Sequence, residues 1–135
     1  MANIAVIDDE QLICELVVEA LSDRGAKVHC AYDGHDGKKL LEAQSFDLVL
    51  IDALMPGIPG LELAAIAANQ NIPAMIMSGH PDVAEKCDRF GFPYLSKPFG
   101  LDVLARETAK VLADKAAIVL QVKEAVARMK VEMAK

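Results

Sequence analysis

The stretch from Asp47 to Gly57 constrains the fold more than any other part of this sequence. Four consecutive aliphatic residues end at the carboxylate of Asp52, and a Pro-Gly pair follows within five positions. An unbroken aliphatic run of this kind is typical of a strand that is buried on both faces of a parallel sheet. The carboxyl ends of such strands form the edge at which α/β folds bind their ligands. We therefore expect Asp52 to lie at a functional site.

Short apolar runs alternate with helical patterns along the first hundred residues. The predicted strands are 3–7, 27–31, 48–52, 73–78 and 92–96. Helical patterns separate them, and the last of these is a short helix from Asp82 to about Arg89. This alternation predicts a doubly wound α/β fold, a five-stranded parallel sheet with helices on both faces. Pro93 inside the fifth run indicates an edge strand, because proline donates no backbone hydrogen bond.

The last part of the chain has a different pattern. No Gly or Pro follows Gly100, which predicts one long last helix of about 34 residues and ~50 Å, longer than a small domain is wide. Apolar residues recur in a seven-residue pattern at Leu112, Val119, Val122, Val126, Met129 and Met133. This favours a short coiled coil. The alternative is an ordinary last helix with a frayed end.

Charge and length exclude several classes of protein. The 135 residues fit one domain, and the net charge is −6. Residues 1–100 have a net charge of −8 and residues 101–135 one of +2, so direct nucleic-acid binding by the acidic part is not expected. No apolar run approaches the roughly 18 residues of a membrane span, and the first residues do not resemble a signal peptide. We expect a cytoplasmic protein without membrane insertion.

The three cysteines, Cys14, Cys30 and Cys87, are isolated and odd in number. Their spacing matches neither a zinc site nor a disulfide framework. We expect buried free thiols in a reducing compartment.

Polar residues follow four of the five predicted strands. They are Asp8 and Asp9 after the first strand, Asp52 on the third, Ser78 on the fourth and Lys97 after the fifth. Some of these residues, taken alone, have a simpler explanation. Asp8 or Asp9 could be a helix N-cap, Ser78 a turn residue and Lys97 a solvated charge. Because parallel strands end at one edge, all five are expected in one pocket. Clustered carboxylates need a compensating cation, and their oxygens suit Mg²⁺.

These motifs resemble those of response-regulator receiver domains of two-component signalling. The matching residues are Asp8-Asp9, Asp52 with Met55-Pro56-Gly57 and Gly60, Ser78-Gly79 and Lys97-Pro98-Phe99. The resemblance covers roughly residues 2–112, so we divide the chain into a receiver domain, 1–112, and a C-terminal helical extension, 113–135. It implies the strand order 2-1-3-4-5.

The resemblance also implies a phosphorylation site. Asp52 would accept a phosphoryl group from a sensor histidine kinase or a histidine phosphotransfer protein. Mg²⁺ would be bound by Asp9, Asp52 and the Leu54 carbonyl, with Asp8 acting through water.

The remaining motif residues would form the switch. Lys97 would pair with Asp52 and then with the phosphoryl oxygens. Ser78 would move to hydrogen-bond the phosphoryl group, and Tyr94 would turn inward as it does so.

The sequence departs from the family pattern in two places near this site. The interval from Ser78 to Lys97 is short by about one turn, so the fourth helix is expected to be reduced or replaced by a loop. Leu54 and His80 border the phosphoryl position, and we predict that His80 modulates dephosphorylation. The simpler alternative is a surface histidine without a role.

The leading functional hypothesis is a phosphorylation-controlled switch that signals to a downstream protein by contact. No enzyme activity is expected beyond its own phosphorylation and autodephosphorylation. One alternative is a receiver fragment of a larger regulator, and another is an assembly module or homodimer formed through the last helix. A haloacid-dehalogenase-type phosphatase also uses Asp, Mg²⁺ and Lys, but that family needs Asp-x-Asp after its first strand.

Overall fold

A computed structural model describes residues 2–135, and within this range the chain forms five strands and six helices. The strands are β1 (Asn3–Ile7), β2 (Lys27–Ala31), β3 (Leu48–Asp52), β4 (Ala74–Ser78) and β5 (Tyr94–Ser96). The helices are α1 (Gln11–Ser22), α2 (Gly34–Ala43), α3 (Gly60–Asn69), α4 (Pro81–Phe90), α5 (Leu101–Ala113) and α6 (Lys115–Met133).

All five strands are parallel, in the order β2-β1-β3-β4-β5. β3 is central, and Ile51 pairs with Ile7 on one side and Ile76 on the other. β5 is an edge strand that is shorter than predicted, and Pro93 precedes it. The predicted fold class and strand order are confirmed.

Helices cover both faces of the sheet and enclose two cores. The side chains of β3 alternate between them: Leu48 and Leu50 pack beneath α1 and α5, whereas Val49 and Ile51 pack beneath α2, α3, α4 and α6. All four are fully buried. Burying one such side chain contributes roughly 1.5–3 kcal/mol, so the aliphatic run 48–51 stabilises the centre of the fold.

The prediction of one continuous last helix is wrong. Asp114 has φ −148° and ψ 67°, which ends α5, and its carboxylate then accepts a hydrogen bond from the Ala117 amide as the N-cap of α6. Aspartate is among the residues that satisfy the free amides of a new helix, so α6 can begin directly after this break. No helix in residues 2–135 is long and apolar enough to cross a membrane.

α6 folds back onto the domain instead of projecting from it. α5 belongs to one core and α6 to the other, where Val122 and Ala125 are fully buried. Val119 and Val126, two of the residues that predicted a coiled coil, are also buried. The part of the seven-residue pattern from Val119 to Val126 therefore marks the face of α6 that packs against α3, α4 and β4, whereas Met133 is exposed.

Polar contacts fix α6 at its start and along its length. Lys115 Nζ lies 2.8 Å from Asp47 Oδ1, just before β3, and this hydrogen bond lowers the Asp47 pKa. Gln121 and Arg128 donate to the carbonyl oxygens of Gly91 and Phe90 at the end of α4, at 2.9 and 3.3 Å. α6 thus starts at the amino edge of the sheet.

α4 is a helix of 10 residues that includes the predicted 82–89 and is as long as α2 and α3, so the alternative of a loop in its place is wrong. It begins with Pro81, whose fixed φ suits the first turn of a helix, and ends at Gly91 in the left-handed region, with φ 87°. α6 packs against both α3 and α4 on this face of the sheet.

The cysteines also differ from expectation. Cys14 on α1 and Cys30 on β2 form a disulfide, with Cα atoms 6.2 Å apart, so the prediction of free thiols is wrong for this pair. The packing of α1 beside β2 brings them together, and no sequence spacing signals that contact. Cys87 is free and buried, and burial raises its pKa to about 11. Its thiol stays protonated at neutral pH.

Candidate functional site

Three carboxylates meet at the carboxyl edge of the sheet. Asp8 and Asp9 follow β1, and Asp52 is the last residue of the neighbouring β3. One carboxylate oxygen from each lies within 4.8 Å of the others. Asp8 and Asp52 are buried, whereas Asp9 is exposed. The predicted convergence of these three residues is confirmed.

Asp8 and Asp9 do not serve as helix caps. The N-cap of α1 is Glu10, which makes no side-chain capping bond. Asp8 Oδ1 instead accepts a hydrogen bond from the Glu10 amide at 2.9 Å, in the turn before the helix. The simpler explanation for this acidic pair therefore does not hold.

The surroundings of the acidic cluster raise the pKa of Asp52. Burial, followed by the negative charge of Asp8, raises the pKa of the Asp52 carboxyl to about 6. The positive charge of Lys97 and a 3.4 Å hydrogen bond from the Leu54 amide to Asp52 Oδ1 act in the opposite direction. Ionised Asp52 is thus poorly compensated by the protein alone, and a bound cation would favour its charged form.

Lys97 is the cation that the chain itself supplies. Its ammonium lies 2.8 Å from Asp8 Oδ2, 3.3 Å from Glu10 Oε1 and 3.8 Å from Asp52 Oδ1. Burial alone lowers the Lys97 pKa, but the hydrogen bond to Asp8 and the three nearby negative charges outweigh it, so the pKa is raised. Lys97 is therefore charged.

Sequence reasoning missed Glu10 as a member of this cluster. Its position directly after the acidic pair was the available signal, but a glutamate at the start of a helix is ordinary. Only the approach of Lys97 from β5 shows that Glu10 shares this ammonium.

Ser78 and Tyr94 are joined through the backbone. Ser78 is buried at the end of β4, and its Oγ accepts a hydrogen bond from the His80 amide at 3.0 Å. The Tyr94 hydroxyl donates to the Ser78 carbonyl at 2.9 Å. Among residues 2–135 no hydrogen bond joins the Ser78 side chain to Asp52.

His80 has a structural role at the start of α4. Its Nδ1 accepts a hydrogen bond from the Asp82 amide at 3.2 Å, which makes it the N-cap of α4. The Leu54 side chain, on the loop after Asp52, is 56% exposed. Both residues lie on loops that follow the strand ends of the site.

Gly60 lets the first turn of α3 approach Asp52 closely. A Cβ at this position would collide with the Asp52 carbonyl oxygen and lie 2.7 Å from the Ala53 Cα. Any side chain here would push α3 away from the strand that carries the acidic cluster. The preceding Gly57 has φ 90°, which residues with side chains rarely adopt.

The donor set fits a hard divalent cation. Three carboxylates converge with no cation near them but Lys97, in the part of the chain described. Oxygen ligands of this type are those Mg²⁺ prefers, and Asp8, Asp9 and Asp52 would supply them. The predicted contribution of the Leu54 carbonyl stays a prediction.

Comparison with known proteins gives a consistent result. A family model described as the response regulator receiver domain matches residues 4–109. The chain is 34% identical over 112 residues to the uncharacterized transcriptional regulatory protein YcbL of Bacillus subtilis, covering 80% of this chain and 48% of that protein. It spans about half the length of the curated relatives it matches.

Solved structures share the fold. The Francisella response regulator 1452 receiver domain has a TM-score of 0.73 at 26% identity, over 84% of this chain and 98% of that one. A CheY-like receiver domain protein from Methanospirillum hungatei has a TM-score of 0.77 at 21% identity, over 85% of this chain and 96% of that one. The second likeness concerns the fold alone.

Proposed function

The chain belongs to the response regulator receiver domain family, and we propose that Asp52 is its phosphoryl acceptor. The donor is a phosphohistidine on a sensor histidine kinase or on a histidine phosphotransfer protein. The product is an aspartyl phosphate that switches contacts with a downstream protein. Beyond forming and losing this phosphate, the chain has no enzyme activity in this proposal.

The strongest support for the proposal is the group of charged side chains at the carboxyl edge of the sheet. A buried carboxylate, two further carboxylates and a lysine ammonium lie together at the carboxyl edge of the sheet. Phosphoryl transfer needs a nucleophile, positive charge near the phosphoryl oxygens and accurate positioning. Asp52 and Lys97 supply the first two, and the close packing of Gly60 against the Asp52 backbone supports the third.

The transfer step follows from these positions. An Asp52 carboxylate oxygen forms a bond to phosphorus while the bond from phosphorus to the donor imidazole nitrogen breaks. The imidazole leaves with the electron pair of that bond. Negative charge on the phosphoryl oxygens is stabilised by Lys97. Asp8, Asp9 and Asp52 would hold Mg²⁺, which would supply further positive charge beside the phosphoryl oxygens.

Lys97 must change partners in this mechanism. In the structure it is closer to Asp8 and Glu10 than to Asp52. A phosphoryl group adds about −1.5 to −2 charges and strong acceptor oxygens, which attract the ammonium from its carboxylate partners. Ser78 moves toward the same oxygens, and Tyr94 follows through its hydrogen bond to the Ser78 carbonyl.

A homodimer through the last helix has less support than the switch. Three of the six apolar residues that predicted it, Val119, Val122 and Val126, are buried within the domain, whereas Met133 is exposed. Leu120, Val131 and Met133 are the exposed large apolar residues of α6.

Incubation with Mg²⁺ and acetyl phosphate, followed by intact mass measurement, tests the proposal. We expect the mass to increase by one phosphoryl group, and Asp52→Asn to abolish the increase. Asp88→Asn, which removes an exposed carboxylate on α4, should leave it unchanged. Chelation of divalent ions should suppress it. An undiminished increase in Asp52→Asn would overturn the assignment.

A further inference from the structure

An apolar groove lies between α3, α4 and α6. Its volume is about 510 Å³, and nine of its twelve lining residues are apolar. Leu54 lies at one end, and Val83, Met129 and Met133 form part of the walls. A second depression of about 200 Å³ continues it along the α3–α6 seam and shares Ala65, Val126 and Lys130 with it. The groove exists because α6 folds back onto this face.

The rim of the groove is basic in a protein that is acidic overall. Lys86 on α4, together with Lys123 and Lys130 on α6, lines the two depressions. Glu62 is the acidic residue of their lining. Within residues 2–135 none of these three lysines lies within 4.0 Å of a carboxylate oxygen. The net charge of the chain is −6, so this unpaired positive rim is a local exception.

We propose that the groove binds an amphipathic helix of a partner protein, with aliphatic residues on one face and acidic residues beside them. An apolar channel between helices accepts side chains spaced at i, i+3, i+4 and i+7 of such a helix. The three lysines are placed to pair with its carboxylates, and opposite charges at a rim favour association with the correct partner. Apart from its charged rim the lining offers no polar side chain to orient a small polar ligand.

The groove also touches the acidic site. Leu54 lines it, and the backbone amide of Leu54 donates to Asp52 Oδ1. Val83 lines it from α4, the helix that starts after Ser78 and His80. A partner helix in this groove would contact the loop after Asp52 and the first turn of α4. The binding itself does not depend on phosphorylation.

The experiment uses the full chain labelled with ¹⁵N and a synthetic helical peptide. The peptide carries leucine at i, i+3, i+4, i+7 and i+11, with glutamate beside the leucines, and a second peptide has lysine in place of each glutamate. We expect the glutamate peptide to shift the amide resonances of Ala65 and Met129, and the lysine peptide to leave them unchanged.

Charge-reversal variants test the rim. Reversing Lys86 and Lys130 together, as K86E and K130E, should weaken the affinity by about tenfold or more, as expected for two rim charges that change from attraction to repulsion. The control K39E reverses an exposed lysine on α2, away from the groove, and should not change the affinity. Circular dichroism verifies that each variant is folded.

Three results would overturn the proposal. They are equal binding of the two peptides, resonance shifts confined to residues outside the groove, and no binding of the glutamate peptide at millimolar concentration. Because none of these measurements involves phosphorylation, they are independent of the result at Asp52.

Discussion

Lys97 Nζ lies 2.8 Å from Asp8 Oδ2 but 3.8 Å from Asp52 Oδ1. The lysine is thus held mainly by a neighbour of the proposed acceptor, with Glu10 as a second partner at 3.3 Å. This arrangement keeps the buried Asp8 carboxylate paired. A phosphoryl group on Asp52 would therefore compete with Asp8 and Glu10 for the Lys97 ammonium.

Glu10→Gln should therefore accelerate phosphorylation. The change removes one charge that holds Lys97, and a partly exposed pair of this kind is worth about 0.5–1 kcal/mol, or roughly a twofold to fivefold change in rate. The measurement is the initial rate of phosphoryl uptake from acetyl phosphate with Mg²⁺. Glu15→Gln, an exposed residue on α1, serves as the control. Equal rates for Glu10→Gln and the unchanged chain would mean that Glu10 does not restrain Lys97.

Stability should depend on pH through Asp52. Its pKa is raised from 3.8 to about 6 in the folded protein, so the folded state binds this proton more tightly than the unfolded chain does. The resulting stabilisation is fully present below pH 3.8 and is lost as the pH rises through about 6.

Urea denaturation without divalent ions, from pH 4 to pH 8, measures this effect. Asp52→Asn should lack the pH dependence of stability that Asp52 causes. At pH 8 this variant should be more stable than the unchanged chain by about 1–2 kcal/mol. Adding Mg²⁺ at pH 8 should stabilise the unchanged chain more than the variant. A difference between the two chains that does not vary with pH would contradict the raised pKa.

Gly60→Ala should impair both stability and phosphorylation. The added methyl would collide with the Asp52 carbonyl oxygen and the Ala53 backbone, and overpacking of this kind costs about 1–3 kcal/mol. At Gly100 the same methyl meets no atom within 4 Å, so Gly100→Ala is a matched control with a smaller expected cost. Urea denaturation and phosphoryl uptake measure the two effects. Similar losses in both variants would argue against close packing at Gly60.

Truncating a buried side chain of α6 should destabilise the whole domain. Val122 is fully buried, whereas Val131 on the same helix is 63% exposed. We expect Val122→Ala to lower the free energy of unfolding by about 2 kcal/mol through lost burial and a residual cavity. Val131→Ala should change it by less than about 0.5 kcal/mol. If both variants lowered the free energy of unfolding by the same small amount, α6 would not be part of the cooperative core.

Much of the fold and most of the acidic site were predictable from the sequence. The aliphatic runs at β1, β3 and β4 bury both faces of their strands, so their periodicity differs clearly from that of the helices. Parallel strands end at one edge, which placed Asp8, Asp9 and Asp52 together before any distance was known. Glu10 was missed because it does not end a strand and a glutamate at the start of a helix is ordinary; only its contact with Lys97 shows that it belongs to the cluster.

The sequence by itself determined the sheet, its buried strands and the identity of the residues at its carboxyl edge, because local periodicity and parallel topology are sufficient for those features. Only the tertiary structure decided where α6 lies, that Cys14 meets Cys30, and that Lys97 is shared between Asp8 and Glu10. The apolar stripe of α6 specifies that a surface is buried but not which surface covers it, since hydrophobic burial is non-directional. The turn at Asp114 resolved that ambiguity by directing α6 onto α3 and α4 and so forming the groove beside Leu54.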